Sequence, residues 1–287
     1  MAAQHGWRGF APGLRWVGVA SPPRDLAVSG NSVAAASGCY DPAVIELAPH
    51  DYRELVDAIA RELRPGTPAE LAAALEPTLL AAEATAAQVD RLCAEAAGWG
   101  VPAVCVSPCW VARAASALRG TSVAVATVVG FPLGAALGTS KRDEAAACLA
   151  VGADELDWMI NLGALRSGLD AWVADEIGAG VELAHAAGAR LKVILEVPKL
   201  GPEEIARAGA AAIEAGADFL KTSTGHGTRA ATVADVAMLR GLAQGRAGVK
   251  AAGGIRTRAQ AEALLGAGAS RIGTSTPAAV LGIAAAG

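Results

Sequence analysis

Aromatic residues are scarce in this chain of 287 residues. Six Trp, two Tyr and three Phe make up 4% of it, although 53% of the residues are hydrophobic. A core must therefore be filled mainly by Ala, Val, Leu and Ile, which suit closely packed helices and strands. The length fits one large domain with an extension, or two small domains.

The chain also has no block of basic residues. Its 24 Lys and Arg residues are spread along the sequence, and the net charge is −4. A nucleic-acid backbone is bound chiefly by clustered positive charge. Nucleic acid is therefore not an expected partner.

Cysteines in paired spacing are missing as well. The odd number of five indicates free thiols in a reducing compartment, and we expect the cytoplasm. Cys105 and Cys109 lack a second pair of metal ligands, and the four histidines are scattered, so we expect neither a metal nor a cofactor. The five cysteines are Cys39, Cys93, Cys105, Cys109 and Cys148.

No apolar run is long enough to span a membrane. Residues 120–140 carry no charge, but four glycines, Pro132 and several Ser and Thr residues interrupt them. The pattern changes at Gly130 from a β-branched run to a Gly/Pro loop. A buried strand followed by a loop is predicted here, and no membrane association.

From about residue 70, an Ala-rich helical segment, a glycine break and a short apolar strand recur in alternation. Eight such units predict a (β/α)8 TIM barrel. A doubly wound open sheet is the alternative, but a G-x-G-x-x-G motif after the first strand is missing. The predicted strands are LEPTLL, AVCVS, SVAVATVV, ELDWMIN, LKVILE, FLKTS, GVKAAGG and RIGTS.

Residues 1–65 lie outside this repeat and are predicted to form an extension, partly irregular. Within it, Asp51 to Arg64 has Leu55, Ile59 and Leu63 at the spacing of an amphipathic helix. The barrel domain is predicted over residues 66–287.

Lysine is the residue whose scarcity is most informative. The chain has 19 arginines but five lysines, and three of these, Lys192, Lys221 and Lys250, lie in predicted strands five, six and seven. A buried ammonium is costly unless it is paired, and burial beside another cation lowers a lysine pKa until the free amine can attack a carbonyl. Their position predicts an amine used in chemistry.

The ends of neighbouring strands in a barrel converge on its catalytic face, so these lysines can meet. Asp157, in strand four, is placed to pair with Lys192. Two plainer interpretations stay open: Lys192 and Asp157 form a structural ion pair without chemistry, and Lys221 is a strand-end lysine that reaches solvent.

Glycines and hydroxyl groups follow strands six, seven and eight. Glycine lets backbone N–H groups approach an anion, and the first turn of a following helix adds donors. Glycine is also common at such turns simply because it adopts backbone conformations that other residues disfavour. Together Gly225, Gly253, Gly254, Ser275 and Thr276 predict a phosphate site.

These motifs resemble those of the deoxyribose-phosphate aldolases, from about residue 70 to 281. The resemblance is carried, in the family's order, by LEPTLL, EATAAQVDRLCAEA, VCVSP, VATVVGFPLG, a Lys141 motif, GADELDWMINLGAL, LKVILE, GADFLKTSTG, VKAAGGIRT and RIGTST. The KTSTG and K-x-x-GGIRT pair is the most specific part.

The resemblance implies a class I aldolase, a lyase that cleaves 2-deoxyribose 5-phosphate reversibly to glyceraldehyde 3-phosphate and acetaldehyde. Lys221 would form the Schiff base and Lys250 would lower its pKa. Asp157 and Lys192 would relay protons through a water. The five residues of the predicted phosphate site fall where the family binds phosphate.

Several positions depart from the family pattern. Glu76 and Pro77 replace the usual Asp-His of the first strand, Ser107 replaces Asn, Val197 replaces Thr, and Trp158 stands in strand four. By analogy we expect these residues near the pocket.

Three hypotheses follow: the family reaction, the same Schiff-base chemistry on a different aldehyde, or a barrel that binds a sugar phosphate without catalysis. An idle site has no physical reason to bury three amines, which argues against the third. The expected small-molecule partner is an aldehyde or a sugar phosphate. A second copy of the chain is also expected as a partner, in a homo-oligomer that we expect to be a dimer.

Overall fold

The computed structural model of the chain describes residues 67–283. The predicted extension of residues 1–65, with the helix at Asp51 to Arg64, lies outside the described residues. Thr67, the first described residue, caps a short helix, because its hydroxyl oxygen accepts the N–H of Glu70 over 3.2 Å.

Eight parallel strands close into a barrel, as predicted. Each strand pairs with the next one in sequence, and the last pairs with the first. The doubly wound alternative is wrong, because an open sheet would leave two edge strands unpaired. The strands are β1 (Leu75–Leu79), β2 (Ala103–Val106), β3 (Ala124–Val129), β4 (Glu155–Met159), β5 (Arg190–Ile194), β6 (Phe219–Lys221), β7 (Gly248–Ala252) and β8 (Arg271–Thr274).

Residues 67–283 also form ten α-helices: one precedes β1, one follows β8, and the other eight lie in the connections between the strands. They are α1 (Pro68–Ala72), α2 (Ala86–Trp99), α3 (Val111–Ala117), α4 (Gly138–Ala150), α5 (Leu162–Arg166), α6 (Asp170–Ala186), α7 (Pro202–Glu214), α8 (Val233–Ala243), α9 (Arg258–Gly266) and α10 (Pro277–Leu281). Short 3-10 turns lie at Pro108–Trp110 and Val197–Lys199.

Polar caps explain where several helices begin and end. The hydroxyl oxygens of Thr85, Thr232 and Thr257 accept backbone N–H groups in the first turns of α2, α8 and α9. At the other end of α2, Gly100 adopts a left-handed conformation with φ of 66°. Gly100 is thus one of the glycine breaks that the sequence shows between a helical segment and the next strand.

The uncharged segment 120–140 contains β3 and a loop, as predicted. The loop begins at Gly130, whose N–H donates to Glu144 Oε2 over 2.8 Å, and includes a cis peptide bond between Phe131 and Pro132. Among residues 67–283, every helix falls short of the length and hydropathy that a membrane crossing requires.

The two faces of the barrel strands bury different kinds of side chain, apolar outside and charged inside. Outside, apolar residues such as Leu156 pack against the helices in a continuous core. Inside, charged residues of neighbouring strands lie side by side in register, as in the pairs Asp157 with Lys192 and Lys221 with Lys250. The strand period of two residues separates these sets and concentrates charge within the barrel.

Candidate active site

Asp157 is the centre of the charged cluster inside the barrel. Its Oδ1 accepts Lys192 Nζ over 2.7 Å, and its Oδ2 accepts Lys221 Nζ over 2.7 Å and Lys250 Nζ over 2.6 Å. All four side chains are buried. The structure thus brings together the four residues that the sequence assigns to the chemistry, on four consecutive strands.

Three further charged residues complete the cluster: Glu76, which the sequence placed near the pocket, and Glu155 and Arg271, which were not predicted. Glu76 of β1 pairs with Lys250, and its Oε2 lies 3.2 Å from Arg271 Nη1. Glu155 of β4 lies 2.6 Å from Lys192 Nζ and 3.4 Å from Arg271 Nη1. Buried carboxylates of Glu76, Glu155 and Asp157 therefore balance most of the positive charge within the barrel.

The pKa values of the three lysines on Asp157 move in different directions. Burial, assisted by the ammonium of Lys250, lowers the pKa of Lys221 against the attraction of Asp157. Burial also opposes the charge of Lys192 and Lys250, but the carboxylates of Asp157 and Glu76 outweigh it and raise both pKa values. Of these three amines, Lys221 is therefore the one most readily available in the neutral, nucleophilic form.

The carboxyl group of Asp157 strongly favours its ionised form. Burial disfavours it, but the three ammonium groups outweigh burial and keep the pKa of Asp157 well below its ordinary range. A carboxylate that stays ionised can hold Lys192 and Lys250 as cations throughout neutral pH.

An aromatic pair covers the amine of Lys221. The Phe131 ring centroid lies 5.9 Å from Lys221 Nζ, and the His226 ring meets Phe131 edge to face at 5.2 Å between centroids. Lys221 is 2% exposed. Phe131 therefore lies over the amine within the buried site.

The residues predicted to bind phosphate lie in the loops after β6, β7 and β8. Gly225, Gly253 and Gly254 all have positive φ, and a Cβ on Gly253 would lie 3.3 Å from Gly225 Cα. Side chains here would separate two loops that now touch. Ser275 is exposed and Thr276 half-buried at the end of β8.

The helix first turns that the sequence suggested as donors lie at different distances from these residues. α8 begins only at Val233, eight residues after Gly225, and α9 begins at Arg258, four residues after Gly254. The donors near these glycines are therefore loop N–H groups, and α10 alone starts directly after its strand, at Pro277.

The departures from the family pattern fall in different places. Trp158 lies on the outer face of β4 against Gly180 of α6, so the expectation that it lies near the pocket is wrong. Val197 is buried, and its N–H donates to the carbonyl oxygen of Thr222 over 2.8 Å. Ser107 begins the 3-10 turn after β2, and Glu76 belongs to the charged cluster.

Three ligand-type residues in this cluster lie close enough to hold a metal: Glu76, Cys105 and Asp157 have ligand atoms within 4.8 Å of one another. Both carboxylates already hold ammonium groups. Burial raises the pKa of the Cys105 thiol to about 11, so it stays protonated. This donor set suits ammonium groups better than a metal cation.

A closed barrel that buries an amine of lowered pKa at the ends of its strands is typical of enzymes that act on carbonyl groups. Comparison with known families narrows this class. The family described as DeoC/LacD family aldolase matches residues 68–279. The chain belongs to this family and is an aldolase, a carbon–carbon lyase.

Individual relatives agree. The deoxyribose-phosphate aldolase of Geobacillus sp. strain WCH70 is 48% identical over 206 residues, which cover 72% of this chain and 92% of the relative. That of Micrococcus luteus is 46% identical over 222 residues, covering 75% and 97%. The tetrameric deoxyribose phosphate aldolase of Aeropyrum pernix superposes with a TM-score of 0.73 at 35% identity, covering 80% of this chain and 96% of that one.

Proposed function

We propose that this aldolase cleaves 2-deoxyribose 5-phosphate to glyceraldehyde 3-phosphate and acetaldehyde through a Schiff base on Lys221. One observation carries the assignment of the amine: among the three lysines that contact Asp157, Lys221 alone has a lowered pKa. It also lies at the end of β6, where a substrate can enter from the catalytic face.

The reaction begins when the neutral amine of Lys221 adds to the substrate aldehyde and water leaves, which forms an iminium. The hydroxyl on the third carbon then loses its proton, the bond between the second and third carbons breaks, and the electron pair enters the iminium as an enamine. Glyceraldehyde 3-phosphate departs with its new carbonyl group.

The second half returns the proton and the amine. A water held by Asp157 and Lys192 carries the proton from the hydroxyl to the enamine carbon, which regenerates an iminium. Hydrolysis then releases acetaldehyde and frees Lys221. Lys250, held as a cation by Glu76 and Asp157, favours the neutral form of Lys221 in each cycle.

The phosphate group is assigned to Gly225, Gly253, Gly254, Ser275 and Thr276. Their loops follow three adjacent strands next to Lys221, and the three glycines leave backbone N–H groups open to an anion. Binding energy from this remote group would lower the barrier as well as the Michaelis constant.

The main alternative is the same Schiff-base chemistry on a different aldehyde, which the departures at Glu76, Pro77, Ser107 and Val197 motivate. Specificity constants for deoxyribose 5-phosphate, deoxyribose and simple aldehydes separate the two. Strong preference for the phosphate ester supports the family substrate, and equal rates with deoxyribose would favour the alternative.

The chain is further proposed to work as a homo-oligomer, with a dimer as the expected state. Leu133 and Leu137 are 68% and 74% exposed, and Trp172, which lines one groove with Gly138, is 50% exposed. Apolar surface of this kind is commonly covered by a partner. Light scattering on the purified protein would give the oligomeric state.

The cytoplasm is the proposed compartment, because the four described cysteines are free.

A further inference from the structure

Glu196 is a buried carboxylate that the proposed chemistry does not use. It lies two residues beyond β5, is 1% exposed, and adopts a left-handed backbone conformation with φ of 55°. Residues other than glycine seldom adopt this conformation unless the surroundings impose it. Burial of a carboxylate in such a conformation beside the strand of Lys221 indicates a specific task.

The two oxygens of Glu196 face the loop that follows Lys221. Oε2 accepts the N–H of Thr224 over 2.9 Å. Oε1 has no hydrogen-bond partner within residues 67–283, and it occupies the space where a Cβ on Gly227 would stand. The carboxylate thus packs against the inner side of the loop. There is room for it because Gly227 has no Cβ.

The same loop is also hydrogen-bonded to Val197, the residue that follows Glu196. The N–H of Val197 donates to Thr222 over 2.8 Å, and the hydroxyl of Thr224 accepts the N–H of His226 over 3.0 Å. Gly225, assigned above to phosphate, stands between these two hydrogen-bonded residues. The position of Gly225 therefore depends on Thr224, and that of Thr224 on Glu196.

We infer that Glu196 is a positioning residue that sets the phosphate-binding loop, with Gly227 as the complementary position that accommodates its carboxylate. This inference rests on the phosphate assignment in the proposed function. Glu196 touches neither the reacting carbons nor Lys221 Nζ in this scheme. Its loss should therefore impair binding of the phosphate ester and leave Schiff-base chemistry on neutral substrates intact.

Three substitutions test this role. Glu196→Ala removes the acceptor of the Thr224 N–H, whereas Glu196→Gln keeps an oxygen there and removes the charge. Gly227→Ala adds one methyl group that forces the carboxylate to move, and the φ of Gly227 lies outside the left-handed region, so the backbone tolerates alanine. Gly241→Ala is the control, because a Cβ on this glycine of α8 meets nothing within 4 Å.

The measurement is kcat and KM for deoxyribose 5-phosphate and for deoxyribose, with amide hydrogen exchange of Thr224 as a second readout. We expect Glu196→Ala and Gly227→Ala to raise KM for the phosphate ester by roughly tenfold or more, because small displacements of binding groups are costly. Constants for deoxyribose should stay within about twofold of the parent. Glu196→Gln and Gly241→Ala should resemble the parent. The amide hydrogen of Thr224 should exchange faster only in Glu196→Ala and Gly227→Ala.

Two failures are distinguishable. A parent protein with no preference for the phosphate ester would refute the phosphate assignment, and the inference with it. A parent that prefers the ester, with variants that keep this preference or lose activity equally on both substrates, would overturn the role of Glu196 alone.

Discussion

Lys221 and Lys250 donate to the same oxygen atom, Asp157 Oδ2, over 2.7 and 2.6 Å. Two ammonium groups that share one acceptor lie close enough to repel each other, and the repulsion falls on the amine with fewer carboxylate partners. Lys250 also pairs with Glu76, whereas Asp157 is the one carboxylate that pairs with Lys221 among residues 67–283. This asymmetry supports our proposal that Lys221 is the nucleophile and Lys250 the permanent cation.

Removal of Lys250 should therefore raise the pKa of Lys221. In Lys250→Leu the like charge beside Lys221 has gone while the attraction of Asp157 remains, so the acid limb of the pH profile of kcat/KM should move to higher pH. At neutral pH we expect a loss of about tenfold or more. Lys250→Arg keeps the charge and should move the limb less. An active leucine variant with an unmoved limb would contradict this role.

Glu76 should matter for stability as well as for the site. Glu76→Gln removes one of the two buried carboxylates that pair with Lys250 and one of the two that pair with Arg271. Breaking a buried pair costs on the order of 3 kcal/mol. Denaturant unfolding of the two proteins measures the difference. Glu76→Asp keeps the charge on a shorter side chain and should lose less.

The pH dependence of that difference has a defined sign. Lys192 and Lys250 outweigh burial and lower the pKa of Glu76 in the folded state below the ordinary value of 4.5. A depressed pKa contributes stability that is fully present above the unfolded value and is lost as the pH falls through the folded value. The stability gap between parent and Glu76→Gln should thus be widest at neutral pH and narrow in acid. A gap that widens in acid would show that Glu76 is not held ionised.

The barrel and the four-residue centre could be predicted because both follow from local patterns. Glycine breaks separate each helix from the next apolar strand, and Asp157, Lys192, Lys221 and Lys250 lie on consecutive strands, which a barrel must place side by side. Sequence order alone therefore implied their contact.

The rest of the cluster depended on barrel closure and side-chain direction. Glu76 and Arg271 are neighbours only because β1 pairs with β8. In the sequence, Glu76 is identified only as a departure from the Asp-His pair of the family. Trp158 follows Asp157, so the alternation of strand side chains turns it outward, a direction that the strand period of two residues indicates. The contact of Glu196 with the loop at Gly227 has no local signature.

A charge at Gly254 should discriminate between substrates. Gly254→Glu would place a carboxylate beside the phosphate, and a like-charge contact costs on the order of 3 kcal/mol, or roughly 100-fold in specificity for the phosphate ester. A Cβ at this position would also lie 2.5 Å from Ala230 Cβ. Gly254→Gln carries that steric cost without the charge and is the matched control. Equal losses in both variants would argue against an anion at this loop.

Activity should not depend on a metal. The carboxylates of Glu76 and Asp157 already bind ammonium groups, and the Cys105 thiol stays protonated. Exhaustive chelation should leave kcat unchanged. Activity that is lost on chelation and restored by zinc would refute this prediction.

The covalent imine on Lys221 is the central claim, and borohydride trapping tests it most directly. The protein is incubated with acetaldehyde and borohydride and digested, and the peptide that holds Lys221 is examined by mass spectrometry. Lys221→Arg and Lys192→Arg, treated in parallel, separate the nucleophile from its neighbour. The account predicts the mass of one reduced adduct on Lys221 in the parent and none in Lys221→Arg. An adduct on Lys192 or Lys250 in the parent, with Lys221 unmodified, would contradict it.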